Sequence, residues 1–268
     1  MKIVFTSDLH MDHNQPPITW PEGDVLVIGG DTANTVGNVH KLVNRVADKY
    51  RHVVIVDGNH EQYSNAPQHR TVEETIEAIQ SQLPENVHLL GHQKPRVKLD
   101  GPNGPVWFVG VNGWYSFDMM GDPIENRLLW KDFMNDNRWC GFEAIEQMQP
   151  WDRAVADAAL MQKSLDEIAE EDPTNLIPIV CVTHTAPHRD MVTWTADPRW
   201  NRSNSFYVNS HMQRVLESDS GQKVTFWYNG HTHHRRERVI GKVYCLANPR
   251  GYPTENPSWE PVVLPIIM

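Results

Sequence analysis

Short apolar runs alternate with helical stripes along most of this chain, and many of the runs end abruptly in polar residues. Residues 2–6, 24–28 and 52–56 are uninterrupted, β-branched runs of the kind that makes a strand buried on both faces. Between the second and third, Val39, Leu42, Val43 and Val46 recur at helical spacing, which predicts a crossover helix joining parallel strands. Thr71-Val72-Glu73-Glu74 has the form of a capping box and opens a second helix with Val72, Ile76, Ile79 and Leu83 on one face. Residues 87–90, 96–99 and 106–111 predict further strands, the last two joined by the turn Gly101-Pro102-Asn103-Gly104-Pro105. Asp152 is expected to cap a long helix with Val155, Ala158, Leu165 and Ile168 facing inward. Residues 176–182 and 224–228 read as strands, and strand edges fall within 239–246 before a proline-rich tail.

Between 112 and 151 the periodicity loosens. This stretch holds Trp114, Trp130, Trp139 and Trp151, with Tyr115, Phe117, Phe133 and Phe142, interleaved with Asp118, Asp122, Asp132, Asp136 and Asn137. Such an insertion is either pinned by aromatic packing or serves as a pocket wall whose ring faces stack on a base.

Length and charge narrow the classes. At 268 residues, with no low-complexity linker, a single α/β domain spanning 1–268 is expected. A formal net charge of −10 argues against broad duplex nucleic-acid binding, which depends on Lys and Arg neutralising phosphates. Cys140, Cys181 and Cys245 are odd in number and far apart without metal-like spacing, so a disulfide framework is not expected and a reducing compartment fits. The chain enters its first strand within two residues and has no apolar run of about 18 residues, so a cytoplasmic protein without membrane association is expected.

The candidate chemistry lies where the strands stop. Asp8 and His10 follow the first strand, Asp31 the second, and Asn59 and His60 the third. His184 follows the strand near 180, and His231 and His233 follow the one near 226. In α/β sheets ligands gather at the carboxyl ends of strands, where loops converge. Carboxylate, amide and imidazole donors from five such ends exceed what one tetrahedral ion takes. Nitrogen and oxygen without thiolate suit two divalent ions among Mn, Fe, Zn, Ni and Mg. Two metals roughly 3.5–4 Å apart clamp both oxygens of an in-line phosphoryl displacement, so the expected reaction is phosphoester hydrolysis.

The order Asp8-Leu9-His10, Gly30-Asp31, Gly58-Asn59-His60-Glu61, His184 and Gly230-His231-Thr232-His233 resembles the calcineurin-like metallophosphoesterase superfamily. The resemblance spans residues 1 to about 250 and implies a four-layer αββα sandwich with its site at the carboxyl ends of the central strands. It further implies that Asp8, His10, Asp31 and His233 hold one metal, while Asp31, Asn59, His184 and His231 hold the other. His60 would contact the phosphate and protonate the leaving oxygen. The attacking group would be a hydroxide bridging the metals, and the partner a phosphate-ester substrate. A bacterial and phage-type branch is resembled in Gly110 to Phe117, in Phe133-Met134-Asn135-Asp136 and in Asn248-Pro249-Arg250-Gly251-Tyr252. Within the last of these, Arg250 is a candidate bidentate phosphate contact.

Gly30-Asp31-Thr32-Ala33-Asn34 lacks the arginine that the protein Ser/Thr phosphatases of this superfamily carry near the bridging aspartate, and Thr185 stands where many relatives have a second His. The expected substrate is therefore a small phosphomonoester or phosphodiester, or a nucleotide. The alternatives are a nuclease for short or single-stranded nucleic acid, a protein Ser/Thr phosphatase, and a non-catalytic scaffold. Retention of all seven ligand positions and His60 speaks against the scaffold. Asp57 and Glu61 are expected to orient His60 or its loop.

Overall fold

The computed structural model describes residues 1–63, 71–136 and 148–266. Two sheets carry the chain. The first has five strands in the order β11-β1-β2-β3-β4, built from β1 (Lys2–Thr6), β2 (Val25–Gly29), β3 (His52–Val56), β4 (Val87–Leu90) and β11 (Val262–Pro265). The second has six in the order β5-β6-β7-β8-β10-β9. Its members are β5 (Arg96–Gly101), β6 (Gly104–Val111), β7 (Ile179–Thr183), β8 (Phe226–Asn229), β9 (Arg236–Ile240) and β10 (Val243–Ala247). β1 to β4 are mutually parallel, as are β6, β7, β8 and β10. Antiparallel partners close three of the four edges.

Alternation along the strands explains the layering. Ile3 and Phe5, Val25 and Val27, and Val54 and Val56 face Val106, Phe108, Val180, Val182 and Tyr228 of the other sheet. The intervening Val4, Leu26, Ile28, Val53 and Ile55 face outward, against the helices Val36–Ala47 and Val72–Gln80. On the far side, Trp107, Val109, Ile179, Cys181 and Trp227 pack on the helices Pro150–Glu171 and Ser210–Glu217. Helix, sheet, sheet, helix is the four-layer sandwich, with both faces of each sheet buried. Each fully buried Val, Leu or Phe contributes about 1.5–3 kcal/mol relative to exposure. Phe5 stacks on Tyr228 with centroids 4.4 Å apart, which aligns β1 with β8 across the interface.

The capping box at Thr71 forms as expected, and Leu83 packs on the same core from beyond the helix end. Three local expectations change. The long helix begins at Pro150 after Gln149, so Asp152 sits in its first turn and does not cap it. Its inner face is Ala154, Ala158, Met161, Leu165 and Ile168, and Val155 is 42% exposed, because spacings of four and three hold one stripe that Val155 leaves. The proline-rich tail supplies a strand, β11, whose four residues pair with β1 at the edge, where prolines are tolerated. Cys181 and Cys245 are buried free thiols. Asn137, Trp139, Cys140 and Phe142, and the side chains of Met134, Asn135 and Asp136, lie outside the described residues. No helix among the described residues is long and apolar enough to cross a membrane.

Candidate metal centre

Because the two sheets lie face to face with matching polarity, the loops after β1, β2, β3, β7 and β8 meet at one end of the sandwich. Asp8, His10, Asp31 and His233 offer ligand atoms within 4.8 Å of one another, and Asp31, His184 and His231 form a second such group. Asn59 joins the second group through Oδ1, 2.9 Å from His184 Nε2. The donors thus come from both sheets. Asp8 (φ 52°), His10 (43°), Asp31 (50°), His231 (71°) and His233 (52°) all hold left-handed backbone, a conformation that costs on the order of 1–3 kcal/mol each in a non-glycine residue. Cross-loop hydrogen bonds hold it in place: Asp8 N–H to Gly30 O at 3.0 Å, His10 N–H to Asp31 O at 3.1 Å and His231 N–H to Asp8 Oδ1 at 2.8 Å. Gly58 is needed for space. A Cβ there would overlap the Asp31 carboxylate.

The imidazoles are oriented as ligands would be. His184 Nδ1 lies 2.9 Å from Gly29 O, His231 Nε2 lies 2.8 Å from Phe206 O, and His233 Nδ1 lies 2.6 Å from Glu255 Oε2. Each outer N–H thereby donates to an oxygen, and the inner nitrogen turns a lone pair toward the centre. There, His10 and His233 Nε2 are 3.0 Å apart, His231 Nδ1 and His184 Nε2 are 3.2 Å apart, and His184 Nε2 is 3.3 Å from Asp31 Oδ2. Asp8 Oδ2 is buried with no hydrogen-bond partner. Imidazole nitrogens this close to one another, beside the buried carboxylates of Asp8 and Asp31, crowd lone pairs that a cation between them would satisfy, so these residues fit divalent metal ions.

For His10 and His231 the electrostatics agree with that fit. Burial lowers His10 to about 2 and His231 to about 3, which keeps both neutral, the form that ligates. For His184 burial disfavours the charge, but the adjacent Asp31 carboxylate outweighs it and raises the imidazole to about 10. Burial likewise opposes the charge on Asp31, and His184, His60 and His10 together hold its carboxyl well below the usual range. Asp8 is raised, by burial foremost.

His60 lies beside this centre, its Nε2 3.9 Å from Asp31 Oδ2. Its Nδ1 is 2.8 Å from Asn34 Oδ1 and its Nε2 is 3.0 Å from the Tyr252 hydroxyl. Burial pushes its pKa down. Asp57 and Glu61 do not reach the ring, contrary to one of the roles expected of them. Glu61 accepts main-chain N–H bonds from Gly58 (2.7 Å), Thr32 (2.6 Å) and Asp31 (3.2 Å), so it ties the β3 loop to the β2 loop. Burial raises it to about 8. Asp57, raised by burial to about 6, accepts from Asn112 and Gln62, both at 3.0 Å. Asn34, Tyr252 and Glu255 escape a reading of the sequence: each acts across loops, and no spacing within its own segment marks it.

A cleft of about 330 Å³ opens over the centre, bounded by Tyr63, Tyr115, Trp130, Phe133, Phe206 and Tyr207 as well as His60 and Tyr252. The aromatic insertion therefore both packs and walls: Trp114, Tyr115, Phe117 and Trp130 are buried together, and Tyr115 stacks on His231 at 5.6 Å and 13°. Arg250 is not brought into this cleft. Its guanidinium donates to Pro16 O and lies 5.4 Å from the Trp259 ring, beside a neighbouring cavity of about 550 Å³. The reason is Gly251, whose left-handed φ of 75° turns the chain so that Tyr252 faces the histidines. Main-chain bonds from Arg250 N to Ser7 O and from Gly251 N to Asp8 O, both 3.0 Å, still anchor this segment on the β1 loop. Arg236, Glu237 and Arg238 lie on the edge strand β9, and Arg235, just before it, pairs with Glu237 at 2.7 Å.

The fold is similar to that of a phosphopantetheinyl hydrolase from Mycobacterium tuberculosis, with a TM-score of 0.73 and 16% identity over 97% of this chain and 95% of that one. A dimetal phosphatase from Danio rerio aligns with a TM-score of 0.50 and 12% identity, covering 92% and 86%. An uncharacterized protein of Acanthamoeba polyphaga mimivirus is 21% identical over 246 residues, 88% of this chain and 81% of that protein. The family model described as calcineurin-like phosphoesterase matches residues 1–235, and the chain belongs to that family.

Proposed function

We propose that this protein hydrolyses a phosphomonoester or phosphodiester of a small molecule or nucleotide, with two divalent metal ions as cofactors. The observation that carries this reading is the convergence of imidazole nitrogens from both sheets on the buried Asp8 and Asp31 carboxylates. Asp8, His10, Asp31 and His233 would hold one ion, and Asp31, Asn59, His184 and His231 the other. Oxygen and imidazole donors without sulfur suit Mn, Fe, Zn, Ni or Mg. When bound, two such ions supply positive charge to the phosphoryl oxygens and acidify water at neutral pH.

The chain's own groups do the rest. Glu61 and Glu255 hold the loops and rings that present the donors. His60, fixed at both nitrogens, is the proton source for the leaving oxygen, a role worth about 10²–10⁴-fold in rate. No Lys or Arg is among the described residues lining the cleft, which favours a small ester with a flat or apolar group over a long polyanion.

The test is hydrolysis of p-nitrophenyl phosphate, bis-p-nitrophenyl phosphate, cyclic nucleotides, a phosphopantetheinyl ester and single-stranded DNA, with Mn²⁺ or Ni²⁺ added. Small esters should turn over faster than DNA. Asp31→Asn removes the carboxylate shared by both ion sites and should lower turnover by more than about 100-fold while weakening metal binding. Near-normal turnover in that variant would sink the proposal.

A further inference from the structure

We propose that Tyr252 is a catalytic residue: its hydroxyl hands the proton of His60 to the leaving-group oxygen of the ester. This rests on the phosphoesterase reading above and adds the atom that touches the leaving group. His60 is buried, with only 5% of its surface exposed. Its Nδ1 is engaged by Asn34 at 2.8 Å and its Nε2 by the Tyr252 hydroxyl at 3.0 Å, so the nitrogen facing the cleft is reached through the phenol. Tyr252 is half-buried and lines the cleft that contains Asp31, Asn59, His231 and His233.

The phenol is held in place from several sides. Its ring lies 4.5 Å from that of His10 and 4.8 Å from that of His233, and its main-chain N–H donates to Glu255 Oε2 at 2.7 Å. Gly251 N–H, one residue earlier, donates to Asp8 O at 3.0 Å. A tyrosine immobilised against two candidate ligands, with its hydroxyl on the imidazole of a third loop, is placed for a two-proton relay.

In the step, the oxygen of a water molecule forms a bond to phosphorus and loses its proton to solvent, and the P–O bond to the leaving group breaks. The leaving oxygen takes the phenolic proton as the phenol takes the Nε2 proton of the His60 imidazolium. Tyrosine is restored, His60 ends neutral, the alcohol departs, and His60 regains from solvent, before the next turnover, the equivalent of the proton that the water released. No other reactant is needed.

Tyr252→Phe removes the hydroxyl and keeps the ring packing. With metals bound, turnover of an alkyl phosphate, a poor leaving group, should fall by about 100-fold, and that of p-nitrophenyl phosphate, a good one, by a much smaller factor. Metal content should match the wild type. Added to His60→Gln, the substitution should lower alkyl-ester turnover no further. In the metal-free protein, the ¹⁵N resonance of His60 Nε2 should move in Tyr252→Phe while that of Nδ1 stays. An equal fall for both esters, a loss of metal, additive effects with His60→Gln or an unmoved Nε2 resonance each overturns the relay. A wild type inactive on every ester overturns the phosphoesterase reading itself, whereas an active wild type with an unaffected variant overturns only the role of Tyr252.

Discussion

The aromatic wall formed by Trp114, Tyr115, Phe117 and Trp130 meets the candidate metal centre through a ring stack, Tyr115 on His231. The loop at 248–256 on another side of the cleft meets it through hydrogen bonds, between Tyr252 and His60 and between His233 and Glu255. The first wall is apolar and shapes space; the second is polar and orients nitrogen lone pairs. Dispersion and burial are non-directional, so an aromatic wall tolerates small displacements. A hydrogen bond of 2.6 Å to an imidazole does not. Stability should therefore concentrate in the first wall and metal affinity in the second.

Breaking each wall in turn separates these contributions. The largest effect is expected from Trp130→Ala, which removes a 4%-exposed ring packed on Tyr115 and Phe117. It should cost about 3–5 kcal/mol in urea unfolding while metal affinity stays close to that of the wild type. Glu255→Gln should do the reverse. Losing the carboxylate on His233 Nδ1 should weaken metal binding by about 10–100-fold in calorimetric titration, with stability within about 0.5 kcal/mol of the wild type. If both variants lose both properties, the division between the walls is wrong.

The smallest effect sharpens the comparison at the root of the aromatic wall. Asp157 accepts Gly113 N–H at 2.7 Å and pairs with His92 Nε2 at 2.6 Å, just before Trp114 and Tyr115. The hydrogen bond to Asp157 raises the His92 pKa above its ordinary 6.5, against the effect of burial. A raised folded-state pKa means that the pair stabilises fully below the ordinary value, and that this stability is lost as pH rises through the folded value. The Tm difference between wild type and His92→Asn should accordingly be largest in mild acid and shrink above neutrality. A difference that grows with pH would reverse the sign and remove His92 as a support of the wall.

Much of the framework is legible in the sequence because its signals are short-range. β1, β3 and β4 begin and end where their apolar runs do, and the Thr71 capping box forms as its spacing requires. Strand ends announce Asp8, His10, Asp31, Asn59, His184, His231 and His233 as candidate donors, since a polar residue capable of ligation after a buried strand is a local pattern. Other features are not local. Val155 and Ala154 differ by one position on a helix, and only the packing of that helix decides which faces inward. β11 is recognisable only once β1 offers it an edge. Arg250 and Tyr252 are two residues apart, and charge alone points to the arginine. The left-handed Gly251 delivers the tyrosine instead.

By itself, then, the sequence determined the periodicities, the strand and helix inventory, and the kinds of donor atoms available for chemistry. Tertiary structure alone decided which donors share a centre, which nitrogen of each imidazole faces it, and that His60 is met by a tyrosine 192 residues away. The physical reason is range. Backbone propensity and side-chain periodicity are set by neighbours a few positions apart, whereas a hydrogen bond between loops exists only after two sheets have packed and fixed their strand ends within about 3 Å of each other.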